Sequence, residues 1–340
     1  MRPYAGPMRL LVLGGTAWLG REFAVQAASR GVDVTCAARG RSGAPPEGCA
    51  FVVVDRDDPN GLSTLVGPWD VVVDVSRAPA QVSRAVDALA RDCHRYVFIS
   101  TGSVYADPSV VGADEGADLL APWPDDREPG DGPEAYGAAK VRCEQLVVGG
   151  FGVERSLVVR AGLIGGPGDE TGRTTYWPWR FARSRELGRP VLVPDAFVEA
   201  TQVIDARDLV GWALDAVSGG VGGTFNAVGD PVSLGEHLTV AQEVAGSARE
   251  LRPAAGEWLR SQGVEPWMGG RSLPLWIGDP EWRGFSTRSN ARAKAEGLRL
   301  RPLAETLRDG LEWELSGMRQ GPRRAGLTDT DEADLLTQMG

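Results

Sequence analysis

Histidine and cysteine are scarce in this chain, and their scarcity limits the chemistry it can perform. The 340 residues include two histidines, His94 and His237, and four cysteines, none of them in a Cys-x-x-Cys arrangement. A histidine-rich metal site or a Ser-His-Asp triad is therefore not expected, and we predict no bound metal. The cysteines are expected to be reduced, with most of them buried in core elements.

Long hydrophobic runs and positive net charge are also missing. No apolar stretch approaches the roughly 20 residues that a membrane-spanning helix needs, so no membrane association is expected. The apolar stretch 10–13 runs directly into glycines, unlike a signal peptide, and we therefore expect a cytoplasmic protein. The formal net charge of -10 argues against broad binding to nucleic-acid phosphates, so no nucleic-acid partner is expected.

The first half of the chain alternates continuous apolar runs with helical stretches. Strands are predicted at 9–13, 32–37, 50–54, 71–75, 96–100 and 158–164. Continuous apolar runs suit parallel strands that are covered on both faces, and intervening helices indicate βαβ units. The predicted fold class is α/β, a Rossmann doubly wound parallel sheet with a smaller, mostly C-terminal α/β substrate-binding domain.

The pattern loosens in the second half. A long loop is predicted at 106–132, followed by a helix capped at Asp131 that ends near Gly149, and a short strand at 223–228. Further helices are predicted at 175–187, 206–217, 234–245, 250–262 and 303–316. We expect a dinucleotide-binding domain at 8–170 with returning segments around 200–230, an interleaved substrate-binding domain at 171–320, and a tail at 321–340. The tail fits a terminal helix and a frayed end equally well.

A glycine-rich turn, GGTAWLG at 14–20, joins the first predicted strand to the first predicted helix. Glycines there allow a tight turn and let a pyrophosphate approach backbone N–H groups at the helix N-terminus. A turn between the first strand and the first helix is the context in which such glycines bind a dinucleotide. A plain strand-to-helix turn without a ligand is the alternative interpretation.

The end of the second predicted strand bears on the choice between NAD and NADP. An acidic residue there would bind the ribose, whereas an arginine accommodates a 2′-phosphate. The segment TCAARGR at 35–41 has no acid but carries Arg39 and Arg41. The sequence therefore favours NADP, with NAD as the alternative if both arginines are simply solvated.

Tyr136 and Lys140 lie four residues apart in a predicted helix and therefore share one of its faces. An ammonium beside a phenol stabilises the phenolate, so the tyrosine can exchange a proton with a substrate oxygen. Lysine occurs at only one other position, 294, and every other basic residue is an arginine. A compact donor in an arginine-rich chain favours a functional pair over a surface pair.

Hydroxyl groups follow the predicted strand 96–100, in the segment STGSVY at 100–105. The carboxyl ends of strands line the ligand crevice in doubly wound sheets, and hydroxyls there can hold a substrate carbonyl by hydrogen bonding. Local capping of the turn is the alternative interpretation.

At these residues the chain resembles the extended short-chain dehydrogenase/reductase family in its atypical branch, the NAD-dependent epimerase/dehydratase group. The similar segments, in the family's order, are GGTAWLG at 14–20, VFISTGSVYAD at 97–107, YGAAK at 136–140, VVRAGLIGGPGD at 158–169 and VIDARDL at 203–209. The resemblance implies that Tyr136 is the acid/base, that Lys140 orients the nicotinamide ribose, and that Thr101 polarises the substrate.

A larger set of contacts follows from the turn, the strand ends and the resemblance together. Ala17 stands where the family has the middle glycine of its turn, and Ala161 where it often has proline. The expected cofactor-binding residues are Gly14, Thr16, Ala17, Trp18, Leu19, Gly20, Arg39, Arg41, Asp55, Arg56, Val75, Ser76, Ser100, Tyr136, Lys140, Ala161 and Leu163.

Substrate contacts are expected from Ser103 and from the second half, which covers the substrate in the family. Two aromatic clusters lie there, YWPWR at 176–180 and the four tryptophans 258, 267, 276 and 282. The tryptophans fit either an aromatic lid over a flat substrate or the core of a small domain. The expected substrate-binding residues are Ser103, Tyr176, Trp177, Arg180 and Gln202.

The leading functional prediction is an NAD(P)-dependent oxidoreductase that transfers a hydride between nicotinamide and a secondary alcohol or ketone of a small molecule. The first alternative is a sugar-nucleotide or nucleoside epimerase or dehydratase that retains NAD. The second is a non-catalytic nucleotide-sensing or RNA-binding protein, against which the net charge of -10 counts. Family members are commonly dimers, so the resemblance also implies a homodimer.

Overall fold

The computed structural model describes residues 8–124, 130, 132–319 and 321–339. Its strands are β1 Arg9–Leu13, β2 Asp33–Ala38, β3 Ala50–Val53, β4 Trp69–Asp74, β5 Cys93–Thr101, β6 Ser156–Ala161, β7 Leu163–Gly165, β8 Val191–Pro194, β9 Ala200–Thr201, β10 Val203–Asp205, β11 Gly223–Ala227, β12 Val232–Ser233, β13 Leu251–Ala254, β14 Glu265–Pro266 and β15 Ser272–Leu273. Its α-helices are α1 Trp18–Ser29, α2 Pro79–Leu89, α3 Pro133–Phe151, α4 Tyr176–Leu187, α5 Ala206–Ser218, α6 Leu234–Val244, α7 Gly256–Ser261, α8 Ala291–Ala295, α9 Leu303–Leu315 and α10 Asp329–Met339.

Seven strands form the central sheet, in the order β11-β6-β5-β4-β1-β2-β3, and every neighbouring pair is parallel. The chain moves outward from β1 to β3, crosses back to β4, and then moves outward on the other side. The strand order therefore reverses between β1 and β4, and a crevice opens at the carboxyl ends of these strands. The predicted α/β fold class is confirmed.

The apolar runs of the sequence are buried on both faces of this sheet. In β1, Leu10 and Val12 face one core cluster, which α1 and α5 cover. Leu11 and Leu13 face the other cluster, which α2 and α3 cover. Because successive side chains of a strand point to opposite faces, a strand covered on both sides needs apolar residues at every position.

A second core lies outside the sheet, around the buried side chains of Trp177 and Trp276. Here β8 pairs in parallel with β13. The predicted helix 250–262 is therefore wrong over its first half, and α7 covers only Gly256–Ser261. Pro253 explains part of the difference, because it lacks the N–H that a helix interior needs. The pairing partner β8 lies some sixty residues earlier, beyond the reach of local patterning.

Two other boundaries differ from the predictions, and the region 321–340 contains the terminal helix that was one of its two alternatives. The single strand predicted at 158–164 is two strands, because the chain leaves the sheet at Gly162 and continues as β7 beside β10. Helix α3 runs through Gly149 to Phe151. It begins at Pro133 after Gly132, and the predicted cap Asp131 lies outside the described residues. The terminal helix is α10, whose Leu335 is buried in the second core.

The four cysteines are free thiols, three of them buried, in agreement with the sequence. Burial raises the pKa of the Cys36 thiol to about 12, so this group stays protonated and unreactive near neutral pH. Across the described part of the chain, none of the helices combines the length and the apolar character needed to cross a lipid bilayer.

Candidate active site

The glycine turn between β1 and α1 is tight because three glycines leave room for their neighbours. Gly14 has a φ of +93°, and a Cβ there would lie 2.7 Å from Cγ2 of Val75. A Cβ on Gly15 would lie 2.6 Å from Sγ of Cys36, and one on Gly20 would lie 2.3 Å from the Gly14 carbonyl oxygen. The turn therefore brings backbone, and no side chain, to the edge of the sheet.

Ala17 precedes α1 in an extended conformation (φ −84°, ψ 159°), which any residue adopts, so the methyl group is accommodated here. It has no side chain that could cap the helix, and the first N–H groups of α1 stay available to an anion. The groove beside this turn is lined by Leu13, Gly14, Thr16, Ala17, Ala37, Ala38, Arg39, Arg41, Ser42, Val54, Arg56, Val75, Ser76 and Gln81. A glycine cradle, a helix N-terminus and a groove along the strand ends fit a dinucleotide.

Trp18 and Leu19 follow the turn but use their side chains elsewhere. The indole Nε1 of Trp18 donates a hydrogen bond of 2.8 Å to the carbonyl of Pro167. A Cβ on Gly168 would lie 2.7 Å from the same ring, so the indole packs directly on this loop. Leu19 packs, partly buried, against the core cluster beneath α1. Trp18 thus connects the glycine turn to the loop that follows β7.

The two arginines after β2 lie at the groove, as their position predicts. Arg41 lines it, and Arg39 lines it while forming an exposed ion pair of 3.4 Å with Asp57. Asp55 is exposed and accepts a hydrogen bond of 3.0 Å from the backbone N–H of Asp57. No acidic residue is among the described side chains that line this groove.

Arg56 lines the same groove, but its guanidinium is committed to a buried ion pair. Both terminal nitrogens donate to the carboxylate of Asp74 at 2.7 Å, and one also donates to the carbonyl of Gln81. Burial alone would raise the pKa of Asp74, but the charge and hydrogen bonds of Arg56 outweigh it and lower that pKa. Arg56 therefore braces the end of β4 against the segment after β3.

Lys140 is buried, with 3% of its surface exposed. Its Nζ donates hydrogen bonds to the carbonyl oxygens of Ser76 at 2.7 Å and Ile99 at 2.5 Å. The ammonium also lies 4.6 Å from the centre of the Phe98 ring. Since Ser76 follows β4 and Ile99 belongs to β5, the ammonium bridges these two strands near their carboxyl ends, beside the crevice.

Ser100 uses its hydroxyl inside the protein. It donates a hydrogen bond of 2.5 Å to Glu144, which in turn accepts two hydrogen bonds from Arg160. Arg160 also donates to the phenol oxygen of Tyr105 at 3.2 Å. The expectation that Ser100 binds cofactor through this hydroxyl is therefore corrected: the group belongs to a buried network beneath the site.

The turn after β5 carries the hydroxyls of Thr101 and Ser103, and we refer to it as the hydroxyl turn. It is in direct contact with helix α3. Thr101 Oγ1 accepts a hydrogen bond of 3.2 Å from the Ser103 N–H and lies 3.3 Å from the Ser103 hydroxyl. A Cβ on Gly137 would lie 2.2 Å from the carbonyl oxygen of Ser103. Tyr136, the preceding residue, is 36% exposed. The structure thus brings α3, at the residue after Tyr136, against the turn that carries both hydroxyls.

Ala161 ends β6, on the far side of β5 from β4, and Leu163 begins β7 after it. Ala161 pairs with Thr101 in the sheet register. Both side chains are buried. They can offer a ligand only apolar surface and backbone.

Two arginines that the sequence did not single out also reach this region. Arg288 lies against the hydroxyl turn, because a Cβ on Gly102 would lie 2.8 Å from its Nε. Burial lowers the pKa of Arg288 to about 10. Burial also lowers the pKa of Arg173, and Tyr136 is among the groups that oppose this shift, so the two side chains lie within electrostatic range. No local pattern distinguishes these arginines from the many others in the chain.

The predicted substrate residues of the second half lie elsewhere. Tyr176, Trp177 and Arg180 have no exposed surface and belong to the second core and its ion pairs, so the prediction that they bind substrate is wrong. Their aromatic and charged pattern fits a core as well as a lid. Gln202 is also buried, and its amide bonds the carbonyls of Gly229 and Arg288 and the Arg288 N–H. It positions Arg288 and leaves no amide group free for a substrate.

The four tryptophans of the second half do not act as one unit. Trp276 is buried in the core. Trp258 packs, partly buried, against the same cluster. Trp267 also packs against this cluster, and both Trp267 and Trp282 contact the ring of Phe285, at 5.4 Å and 5.7 Å between ring centres. Only the Trp267 and Trp282 group adjoins the arginines near the hydroxyl turn.

The reversed strand order, the glycine cradle beside it and the buried lysine at the same edge define a dinucleotide-binding α/β protein. The chain belongs to the NAD dependent epimerase/dehydratase family, whose pattern matches residues 10–227. This confirms the resemblance found in the sequence. No curated protein matches the chain.

Solved structures share the whole fold at low sequence identity. The UDP-N-acetylglucosamine 4-epimerase of Bacillus cereus is 18% identical, with a TM-score of 0.64 over 93% of this chain and 99% of its own. The UDP-glucose 4-epimerase of Thermus thermophilus, in complex with NAD, is 20% identical, with a TM-score of 0.64 over 92% and 100%. The UDP-glucuronic acid 4-epimerase of Bacillus cereus, also with NAD, is 14% identical, with a TM-score of 0.62 over 91% and 99%.

Proposed function

We propose that this protein is an NAD-dependent epimerase or dehydratase that oxidises a secondary-alcohol carbon of a sugar-like substrate and returns the hydride to the same molecule. One observation carries the proposal: Gly137, the residue after Tyr136, seats α3 directly on the Ser103 carbonyl of the hydroxyl turn. The family and the UDP-sugar epimerases of similar fold support this reaction class over the net oxidoreductase that led the sequence predictions.

The chain's residues divide the binding of the cofactor between them. The N–H groups at the start of α1, after Gly14 and Ala17, would hold the pyrophosphate, and Arg39 and Arg41 in the groove would bind the adenosine end. Lys140, fixed between two strand-end carbonyls, is a three-donor ammonium with two of its N–H groups used by described residues. Its third N–H would bind the nicotinamide ribose. When bound, nicotinamide supplies a hydride acceptor and donor.

The proton chemistry belongs to Tyr136 and the hydroxyl turn. Tyr136 removes the proton from the substrate hydroxyl as that carbon loses its hydride, and it returns the proton when the hydride comes back. Thr101 and Ser103 hold the same oxygen by hydrogen bonds and so favour its carbonyl form.

A net oxidoreductase that uses NADP is the second candidate. It is favoured by Arg39 and Arg41 at the groove and by the lack of an acidic side chain among the described lining residues. The two candidates differ in the fate of the nucleotide. Mass spectrometry of the purified protein should detect retained NAD for the first candidate. Stoichiometric consumption of added NADPH or NADP, with no retained nucleotide, would favour the second.

Replacing Tyr136 with Phe tests the reaction. We expect the turnover of UDP-glucose, UDP-glucuronic acid or UDP-N-acetylglucosamine, whichever is converted, to fall by roughly 100- to 10,000-fold, because the proton carrier is lost. The affinity for NAD should stay unchanged in calorimetry. Full activity of the variant would contradict the assigned role.

Lys140→Met and Lys294→Met provide a matched control, because these are the two lysines of the chain. Lys294 forms an exposed ion pair with Asp230, outside the site. We therefore expect the first substitution to lower both NAD affinity and turnover, and the second to change neither.

A homodimer and a cytoplasmic location stay predictions, as does the absence of a nucleic-acid partner. Sedimentation analysis of the purified protein at several concentrations tests the oligomeric state. RNA retention that falls as salt is raised would contradict the third expectation.

A further inference from the structure

Arg288 is a buried cation without a partner for its charge among the described residues. It is 3% exposed, and its Nε and Nη1 atoms make no hydrogen bond. Arg160, which stacks on the same Tyr105 ring, is bound by the carboxylate of Glu144 through two hydrogen bonds. The positive charge of Arg160 adds to the burial that lowers the pKa of Arg288. The carboxylate of Glu115 also acts on Tyr105 in this cluster, but no carboxylate among the described residues forms an ion pair with Arg288.

Other buried arginines of the protein do have acidic partners, which makes Arg288 a contrast within the same fold. Arg56 pairs with Asp74 and Arg160 with Glu144. Arg180, fully buried, pairs with two carboxylates of α10. Because leaving a buried charge unpaired is strongly unfavourable, folded proteins compensate such groups as a rule. An arginine that lacks compensation and lies beside the hydroxyl turn indicates a partner that is not part of the chain.

The surroundings of Arg288 hold its side chain against the hydroxyl turn. Its guanidinium lies 4.3 Å from the ring centre of Tyr105 and 5.7 Å from that of Phe285. Its Nε abuts Gly102, between the two hydroxyl residues of the turn. Gln202 fixes its backbone through both amide atoms. Rotation of this side chain is therefore restricted by packing on both sides.

Arg173 extends the same surface towards Tyr136. Its guanidinium lies 5.3 Å from the ring centre of Trp267, which packs edge-to-face on Phe285. The aromatic pair thus connects the two arginines. Asp169 lies within electrostatic range of Arg173, but its carboxylate accepts four hydrogen bonds from Thr171 and Thr174. The only hydrogen bond of the Arg173 guanidinium to a described residue is a long one of 3.4 Å, to Thr171.

We propose that Arg173 and Arg288 bind an acidic group of the substrate, a carboxylate or a phosphate, next to the carbon that Tyr136 acts on. The planar guanidinium fork matches both anions and stacks on aromatic rings, and the two uses occur together here. The proposal rests on the proposed function for the position of the reacting carbon. It adds that the substrate is an acid at this position and that neutral analogues bind poorly.

Calorimetric titration of the full-length protein, loaded with NAD so that the phosphate cradle is filled, tests the proposal. The probes are glucuronate, glucose 6-phosphate and neutral glucose. We expect at least one acidic probe to bind roughly 10- to 100-fold more tightly than glucose, because each charged hydrogen bond contributes to affinity. Equal affinity for all three probes would overturn the proposal. Which acid binds separates a carboxylate from a phosphate.

The variants Arg173→Gln and Arg288→Gln should each remove most of the preference for the acid, while Arg173→Lys and Arg288→Lys should keep part of it. Arg260→Gln is the matched control, because Arg260 also stacks on a tryptophan, Trp276, but lies on α7. It should leave the preference unchanged. If both Gln variants fold, by their unfolding temperatures, and still prefer the acid, the proposal fails. The variant Tyr136→Phe separates the two proposals. If it binds the acid but does not turn over, acid binding is independent of the proposed reaction, and either proposal can fail without the other.

Discussion

At position 137 a glycine lets α3 rest on the carbonyl oxygen of Ser103 with no side chain between them. The contact matters because Tyr136 precedes this glycine, so the seat of the helix sets how far the phenol lies from the hydroxyl turn. A hydrogen-bonding distance is lost when two groups move apart by about an ångström, so the spacing set here decides whether the phenol reaches a substrate oxygen.

Gly137→Ala should therefore lower turnover by at least roughly 100-fold and lower stability by about 1 to 3 kcal/mol, because the methyl group must push α3 away from the turn. Gly149→Ala is the control on the same helix, where a Cβ meets open space. It should stabilise the protein slightly, since alanine favours helix more than glycine does. Steady-state kinetics and urea unfolding of both variants measure these effects. Equal behaviour of the two variants would contradict the assigned contact.

Single residues of the site could be predicted only where spacing or position carried a signal. The four-residue interval from Tyr136 to Lys140 and the glycines at 14 and 20 are such signals. Arg173 and Arg288 carry none, because they are two arginines among many, and their meaning depends on which acids lie near them in space. Gly137 was visible in the motif, but the Ser103 carbonyl that requires it was not.

Helix α6 places His237 in the second core, where neither ring nitrogen has a hydrogen-bond partner among the described residues. Burial lowers the pKa of His237 to about 4, against an ordinary value of 6.5. The histidine is therefore neutral in the folded state, while the unfolded chain takes up a proton below pH 6.5. Its contribution to stability is fully present above the ordinary pKa and is lost as the pH falls towards the folded value.

We expect the free energy of unfolding to fall by about 3 kcal/mol through this group between pH 6.5 and pH 4. His237→Leu removes the titrating group while keeping an apolar side chain of similar size. Urea unfolding across this pH range should give a steeper loss of stability for the natural protein than for the variant. Parallel pH profiles for the two proteins would contradict the burial of a neutral histidine.

Strands of the central sheet could be predicted because burial on both faces requires a continuous apolar run in the sequence, such as the run from Leu10 to Leu13. The helices and strands of the second core were harder to predict from the sequence. Strand β13 forms because β8 offers it backbone partners, and that pairing overrides the helical pattern at 250–262. The break between β6 and β7 likewise follows from a change of sheet at Gly162, which no apolar periodicity marks.

Across the whole molecule, α10 joins the second core through charge as well as apolar contact. Arg180 has no exposed surface, and its guanidinium pairs with Asp329 at 2.8 Å and Glu332 at 3.2 Å. Glu332 also accepts a hydrogen bond from the backbone N–H of Leu192 in β8. Arg271 pairs with Asp331 of the same helix. The helix therefore neutralises charges that the rest of the described core leaves uncompensated.

Truncation after Thr328 should lower the free energy of unfolding by about 3 to 5 kcal/mol, because it leaves the buried Arg180 without a counter-charge. The same truncation in an Arg180→Met background should cost clearly less, and the difference isolates the ionic contribution. Urea unfolding of the four proteins gives both values. An unchanged midpoint after truncation would show that α10 is not part of the cooperative unit.

The pairing of Arg180 with residues 329 and 332 also has a consequence for biosynthesis. A separation of 149 positions in the chain lies between the arginine and Asp329. The central sheet can close as soon as β11 has been made, but the second core stays one helix short until α10 emerges from the ribosome. Folding of this half therefore waits for α10, and a nascent chain stalled before residue 329 would expose an unfinished interior to chaperones and proteases.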